Sequence, residues 1–198
     1  VVDLLDCALR LRHAYSGTLP EDADTDWGEL RKDRRGLHCK NGYAWLGGRL
    51  MRMMGRHATA SAGLVVAHHQ APLGAVLREL RATEKRAKTD GGRDALAIKV
   101  IKRSGGALSL WLKWPEIALL KELVGFLRKE STSRRAVYHS LSWLDDLPDP
   151  STDPSLLGAL LQYQFGRQSR LPVPAGLSQR LVDWAVWRQT SLIYTKTS

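Results

Sequence analysis

Residues 58–88 read ATASAGLVVAHHQAPLGAVLRELRATEKRAK, and the order of parts within them decides the fold. The first half is small, β-branched and apolar, the make-up of a buried strand. At Pro72 the period changes. Proline suits a first helical turn, where its missing N–H is harmless. Leu73, Val76, Leu77, Leu80 and Ala87 then recur at helical spacing, which predicts a helix that buries this stripe. Arg78, Arg81, Lys85 and Lys88 fall at 3-4-3 spacing and form a basic ridge on another face. Such a ridge is either a solvated face or a place for an anion. The small residues of ATASAG leave room for a ligand beside the helix end that carries Lys88. A glycine turn and Arg93 follow. A compact ammonium and a forked guanidinium both suit phosphate.

Working outward, DALAIKVIK (94–102) alternates apolar and polar residues, RSGGA turns the chain, and LSLWLKW (108–114) alternates again. This pattern predicts a hairpin. From Pro115 the period is helical. PEIALLKELVGFLRKE, STSRRAVYHSLSWLDDL, SLLGALLQYQFGRQS and GLSQRLVDWAVWRQTSLIY predict four helices, with Ser131 or Ser133 capping the second. A boundary is expected near residue 114, giving a mixed part at 1–114 and a helical part at 115–198. Upstream, residues 1–15 predict a helix, with Cys7 on its apolar stripe and in the core. Residues 16–41 predict an exposed, mobile loop rich in charge. Residues 42–55 predict a helix that buries Trp45, Leu46, Leu50, Met53 and Met54. The first residues read as mid-helix and begin with Val1, so the sequence is expected to be a piece of a longer polypeptide.

Composition narrows the function classes. Of 198 residues, 43% are hydrophobic and 25% charged, enough to bury a core. No run reaches the ~20 apolar residues of a membrane span, and no signal peptide is visible, so a soluble cytoplasmic protein is expected. The net charge of +10 and the pI near 9.9 favour a polyanionic partner. Two cysteines, Cys7 and Cys39, make neither a disulfide framework nor a zinc site. Asp22, Asp24 and Asp26 lack the glycine and distal glutamate of a calcium loop. His68 and His69 are neighbours on a strand and point to opposite faces, so they do not share a metal ion. Capping a strand end or a hydrogen bond is their ordinary use, and His69 beside a bound nucleotide stays open. No metal ligands and no catalytic residues are assigned.

The stretch quoted above, followed by GGRDALAIKVIKRSGG, resembles the second Palm domain of the large subunit of type III-B CRISPR effector complexes. It is more distantly similar to GGDEF nucleotide cyclases, where T-x-S-x-G, a helix ending in A-K and a nearby G-R recur. The resemblance implies an α+β chain: a partial ferredoxin-like Palm (cyclase-like) domain followed by a C-terminal α-helical bundle. It implies that the intact subunit makes cyclic oligoadenylate from ATP, using two Mg2+ or Mn2+ ions held by a G-G-D-D turn. Ser61, Lys88 and Arg93 would then bind the nucleotide. G-G-D-D does not occur in these 198 residues, and Asp145–Asp146 lack its glycines. The metal ligands are therefore expected outside this chain, and the chain alone is expected to be inactive. One more glycine separates Lys88 from Arg93 than in most cyclases of this kind. The implied partners are the other subunits of the complex, its crRNA and the target RNA, with no membrane. A non-catalytic reading stands beside this one: an RNA- or subunit-binding scaffold whose helical part docks through Trp143, Trp184 and Trp187.

Overall fold

A computed structural model of the chain describes residues 2–33, 35–103, 105–133 and 152–196, with residues 2 and 187–196 by backbone alone. The chain divides into two compact units, Val1–Ile117 and Ala118–Ser198. The architecture is mixed α+β.

In the first unit, helix α1 (Val2–Ser16) leads through a 3-10 turn (Pro20–Asp22) and the short α2 (Trp27–Leu30) into strands β1 (His38–Lys40), β2 (Tyr43–Leu46) and β3 (Arg49–Arg52). These form an antiparallel sheet in the order β1-β2-β3. The helix expected over 42–55 is thus a hairpin. The physical reason is the Gly47–Gly48 pair, whose φ values of +58° and +82° make a two-residue turn between the paired Leu46 and Arg49. Positive φ at both turn positions matches the twist of a hairpin and opposes a helix. The apolar residues assigned to a buried helical side are largely on the surface: Leu46, Leu50 and Met54 are exposed, while Met53 packs against the Leu19–Cys39–Ala44 core.

The expected loop over 16–41 is also corrected. It contains the turn, α2 and β1. Asp22 is buried, and its carboxylate accepts the Cys39 N–H at 2.6 Å and meets His38 Nδ1 at 3.0 Å. That pairing ties the acidic segment to the sheet instead of leaving it in water. Cys7, expected in the core, is exposed, because α1 buries Leu5 and Ala8 instead.

A second sheet carries the stretch quoted first. Strand β4 (Ala62–Val66) pairs parallel with β5 (Ala95–Ile101), and β5 pairs antiparallel with β6 (Ala107–Lys113), the expected hairpin. Helix α3 (Leu73–Thr89) makes the crossover between the parallel strands. Its buried residues are Thr83 and Ala87, and Ala87 packs with Ala95, Ala97 and Trp111. The stripe predicted for α3 is corrected at its start: Leu73 and Leu77 are exposed, while Val76 and Leu80 are partly buried.

In the second unit the described residues form α4 (Ile117–Arg128), α5 (Pro154–Gln168) and α6 (Leu177–Lys196), with Phe126, Phe165 and Leu177 as a core. Asp153 caps α5, accepting the Leu156 N–H at 3.0 Å. The helix expected over 131–147 falls mainly outside the described residues, as do Trp143, Asp145 and Asp146 and the side chain of Trp187. Among the described residues no helix is long and apolar enough to cross a membrane.

Candidate nucleotide site

The motif Thr59-x-Ser61-x-Gly63 leads into β4, which begins at Ala62. Thr59 and Ser61 border one hollow, and Gly63 shows what lies beside the strand that follows them. A Cβ built on Gly63 would lie 2.6 Å from the Glu84 backbone nitrogen and 2.9 Å from its Cα. The strand is therefore pressed against α3 there, and only glycine permits that approach. From this contact the geometry can be counted off. Two residues back along a strand is about 6.6 Å, and four residues forward along an antiparallel helix is about 6 Å. The two distances match, so Ser61 comes level with Lys88. Two more residues back, Thr59 comes level with the turn after the helix.

That turn brings in Arg93. Gly91 N–H bonds to the Arg86 carbonyl at 3.1 Å and Arg93 N–H to the Lys88 carbonyl at 3.2 Å, closing the helix end. Arg93 and Asp94 both hold positive φ, +61° and +44°. Each costs about 1–2 kcal/mol in a non-glycine residue, so the surroundings must hold them. The Lys113 ammonium does part of this, donating to the Arg93 carbonyl at 2.8 Å. Asp94 does the rest. One carboxylate oxygen accepts Arg12 Nε at 3.0 Å and the Ala60 N–H at 3.1 Å, while Arg12 Nη2 donates to the Ala58 carbonyl at 2.9 Å. The Trp114 indole N–H donates to the Ala60 carbonyl at 2.8 Å. Helix α1, the strand entrance and the glycine turn are thereby clipped together.

The result is a hollow of about 280 Å³ lined by Thr59, Ser61, Lys88 and Arg93. The three residues singled out in the sequence border one cavity, and Thr59, part of the same motif, joins them. Arg12, Asp94, Lys113 and Trp114 carry no signal that sequence reading could have used, since their role is to hold backbone. The hollow is smaller than the ~300–1,000 Å³ of ligand pockets that enclose a whole small molecule. It has the size for a phosphate tail. It also lies at the C-terminal end of α3, where the helix dipole is negative, and the amides of the turn are already bonded within it. Anion attraction there must come from the Lys88 and Arg93 side chains.

Lys88 meets Glu84 one turn back, both about half exposed. An exposed pair of this kind is worth roughly 0–1 kcal/mol, so an arriving phosphate can take the ammonium over at small cost. The histidines lie elsewhere. His68 follows β4, with its Nδ1 facing the Gln70 N–H at 3.3 Å, and the His68 and His69 rings stand 4.3 Å apart. Among the described residues no three His, Cys, Asp or Glu side chains gather as metal ligands.

This arrangement has relatives. The family described as Cas10/Cmr2, second palm domain, matches residues 44–97, which include Ser61, Lys88 and Arg93. Residues 44–97 thus resemble a Cmr2-like palm domain. Over 112 residues the chain is 31% identical to the CRISPR system Cmr subunit Cmr2 of Pyrococcus furiosus (strain ATCC 43587 / DSM 3638 / JCM 8422 / Vc1), covering 54% of this chain and 13% of that protein. The chain thus spans a small part of its relative's length. Within the palm domain, the match takes in the β2–β3 hairpin, β4 and α3. It stops at Ala97, short of β6 and the helical unit.

Proposed function

We propose that this palm domain supplies the triphosphate-binding side of a nucleotidyl-transfer site in the large subunit of a type III CRISPR effector complex, acting on ATP to make cyclic oligoadenylate. The observation that supports this reading is the shared hollow of Thr59, Ser61, Lys88 and Arg93. In it the Lys88 ammonium and the Arg93 guanidinium neutralise the phosphate tail, and the Ser61 and Thr59 hydroxyls donate to its oxygens. When a 3′-hydroxyl attacks the α-phosphate, charge builds on the departing pyrophosphate. Cations already in place there stabilise that charge without reorganising.

The residues present do not fit the two ions that the family resemblance implies. Asp94, the carboxylate next to Arg93, is engaged by Arg12 and by the Ala60 N–H, Glu84 is paired with Lys88, and no acidic side chain lines the hollow. No metal-dependent step is assigned to this chain. Under this reading its partners are the other subunits of the complex, with crRNA and target RNA.

The test is Lys88→Ala in the intact subunit, assembled with its complex. A charge-assisted hydrogen bond contributes about 1.5–3 kcal/mol, so oligoadenylate yield should fall roughly 10- to 100-fold while assembly, followed by size-exclusion chromatography, is unchanged. Lys88→Arg should restore part of the yield. Unchanged yield from the alanine variant would overturn the proposal.

A further inference from the structure

The three-stranded sheet has an outward face that the nucleotide site does not use. Its composition can be read from the register. His38 pairs with Trp45 and Trp45 with Leu50, while Lys40 pairs with Tyr43 and Tyr43 with Arg52. Directly paired residues share a face, so these six lie together. The opposite face holds Cys39 and Ala44, both buried. On the outward face Tyr43 is 42% and Leu50 48% exposed. Arg52 is exposed, and the Arg31 guanidinium lies 5.5 Å from the Trp45 ring. Every residue of β3 is exposed.

The stretch of sequence that carries this face is basic. Between Asp33 and Glu79 the sequence holds no Asp or Glu, but it holds Arg34, Arg35, Lys40, Arg49, Arg52, Arg56 and Arg78. Among the described residues Arg31, Arg49 and Arg52 take part in no ion pair. The carboxylates at the edge, Asp22 and Asp33, are engaged by His38. An exposed aromatic ring, an apolar neighbour and arginines that make no ion pair match a chain of phosphates whose bases are free to stack.

We propose that the outward face of the β1-β2-β3 sheet binds single-stranded nucleic acid, with Tyr43 stacking on a base and Arg52 and Arg31 holding adjacent phosphates. This site is separate from the hollow at Lys88 and does not depend on its reading.

The experiment is fluorescence anisotropy of the 198-residue chain with a labelled 20-mer of oligo-U, an oligo-dT of equal length and an RNA duplex of equal length. Base stacking on one aromatic ring contributes about 1–3 kcal/mol, so Tyr43→Ala should weaken single-strand binding about tenfold or more, and Tyr43→Phe should stay within about twofold of the native chain. Arg52→Ala should lower the slope of log K against log salt by about one unit. Oligo-U favoured over oligo-dT assigns the contact to RNA, and equal binding assigns it to either strand chemistry; both agree with the proposal. Circular dichroism establishes that each variant is folded, and Leu46→Ser, on the other face, serves as the neutral control. Native affinity in folded Tyr43→Ala overturns the proposal. So does duplex binding as tight as single-strand binding, or an affinity that does not change with salt.

Discussion

The close approach of Gly63 to Glu84 can be tested directly. In Gly63→Ala the new methyl would stand 2.6 Å from the Glu84 nitrogen, where ordinary contact begins at 3.4 Å. The helix must therefore rise by about 0.8 Å. The neighbouring atoms are backbone, at 2.6 and 2.9 Å, so no side chain can swing aside to absorb the change. A radial gap of 0.5–1 Å forfeits about a quarter to a half of the dispersion energy of the atoms it separates, and here those include Ala87 against Ala95 and Ala97. Overpacking of this kind costs about 1–3 kcal/mol. With a urea m-value of about 2 kcal/mol/M, the midpoint should drop by roughly 0.5–1.5 M. The same lift carries Lys88 away from Ser61, so the ATP binding proposed above, measured by calorimetry on the folded variant, should weaken as well. Gly74→Ala is the control. Its Cβ would meet only the Arg78 guanidinium at 3.8 Å, and replacing an exposed helical glycine should leave stability unchanged or raise it by up to about 1 kcal/mol. Equal stability of Gly63→Ala and the native chain would refute the account of how α3 is seated.

Two further outcomes follow from the small sheet. His38 has its pKa raised from the ordinary 6.5, chiefly by its hydrogen bond to Asp22, with Asp33 adding to it. Folding thus favours the protonated ring, so its stabilisation is complete below the unfolded value and is lost as pH rises through the folded one. Stability against urea should therefore fall from pH 6 upward through the folded pKa, and His38→Gln should flatten that slope. A slope unchanged in the variant would remove His38 as its cause. The Cys39 thiol is pushed up to about 11 by burial and by the nearby Asp22 charge, whereas Cys7 is exposed. At pH 8 a thiol reagent should titrate Cys7 quickly and Cys39 only on unfolding. Two fast thiols in the native chain would count against the packing of β1 and β2.

How much of this was legible beforehand differs by element. Where one period runs long enough to exclude the other, the elements were readable from local pattern: the crossover helix from Pro72, the β5–β6 hairpin, and the small-residue strand before them. Residues 42–55 failed for a local reason as well. Their apolar spacing fits either period, and the Gly47–Gly48 turn is what decides for a hairpin. In α3, periodicity names an apolar stripe but not that Leu73 and Leu77 stay exposed, because burial depends on what lies opposite.

The sequence alone therefore determined which groups a phosphate site could draw on: a small-residue strand, a lysine ending a helix, and an arginine beyond a glycine turn. Only the tertiary structure decided that they meet. Pattern along a chain records faces and periods, while a cavity is set by the distance between faces. Here that distance is set by the missing Cβ of Gly63 and by the carboxylate of Asp94, which clips α1, the strand entrance and the turn into one frame.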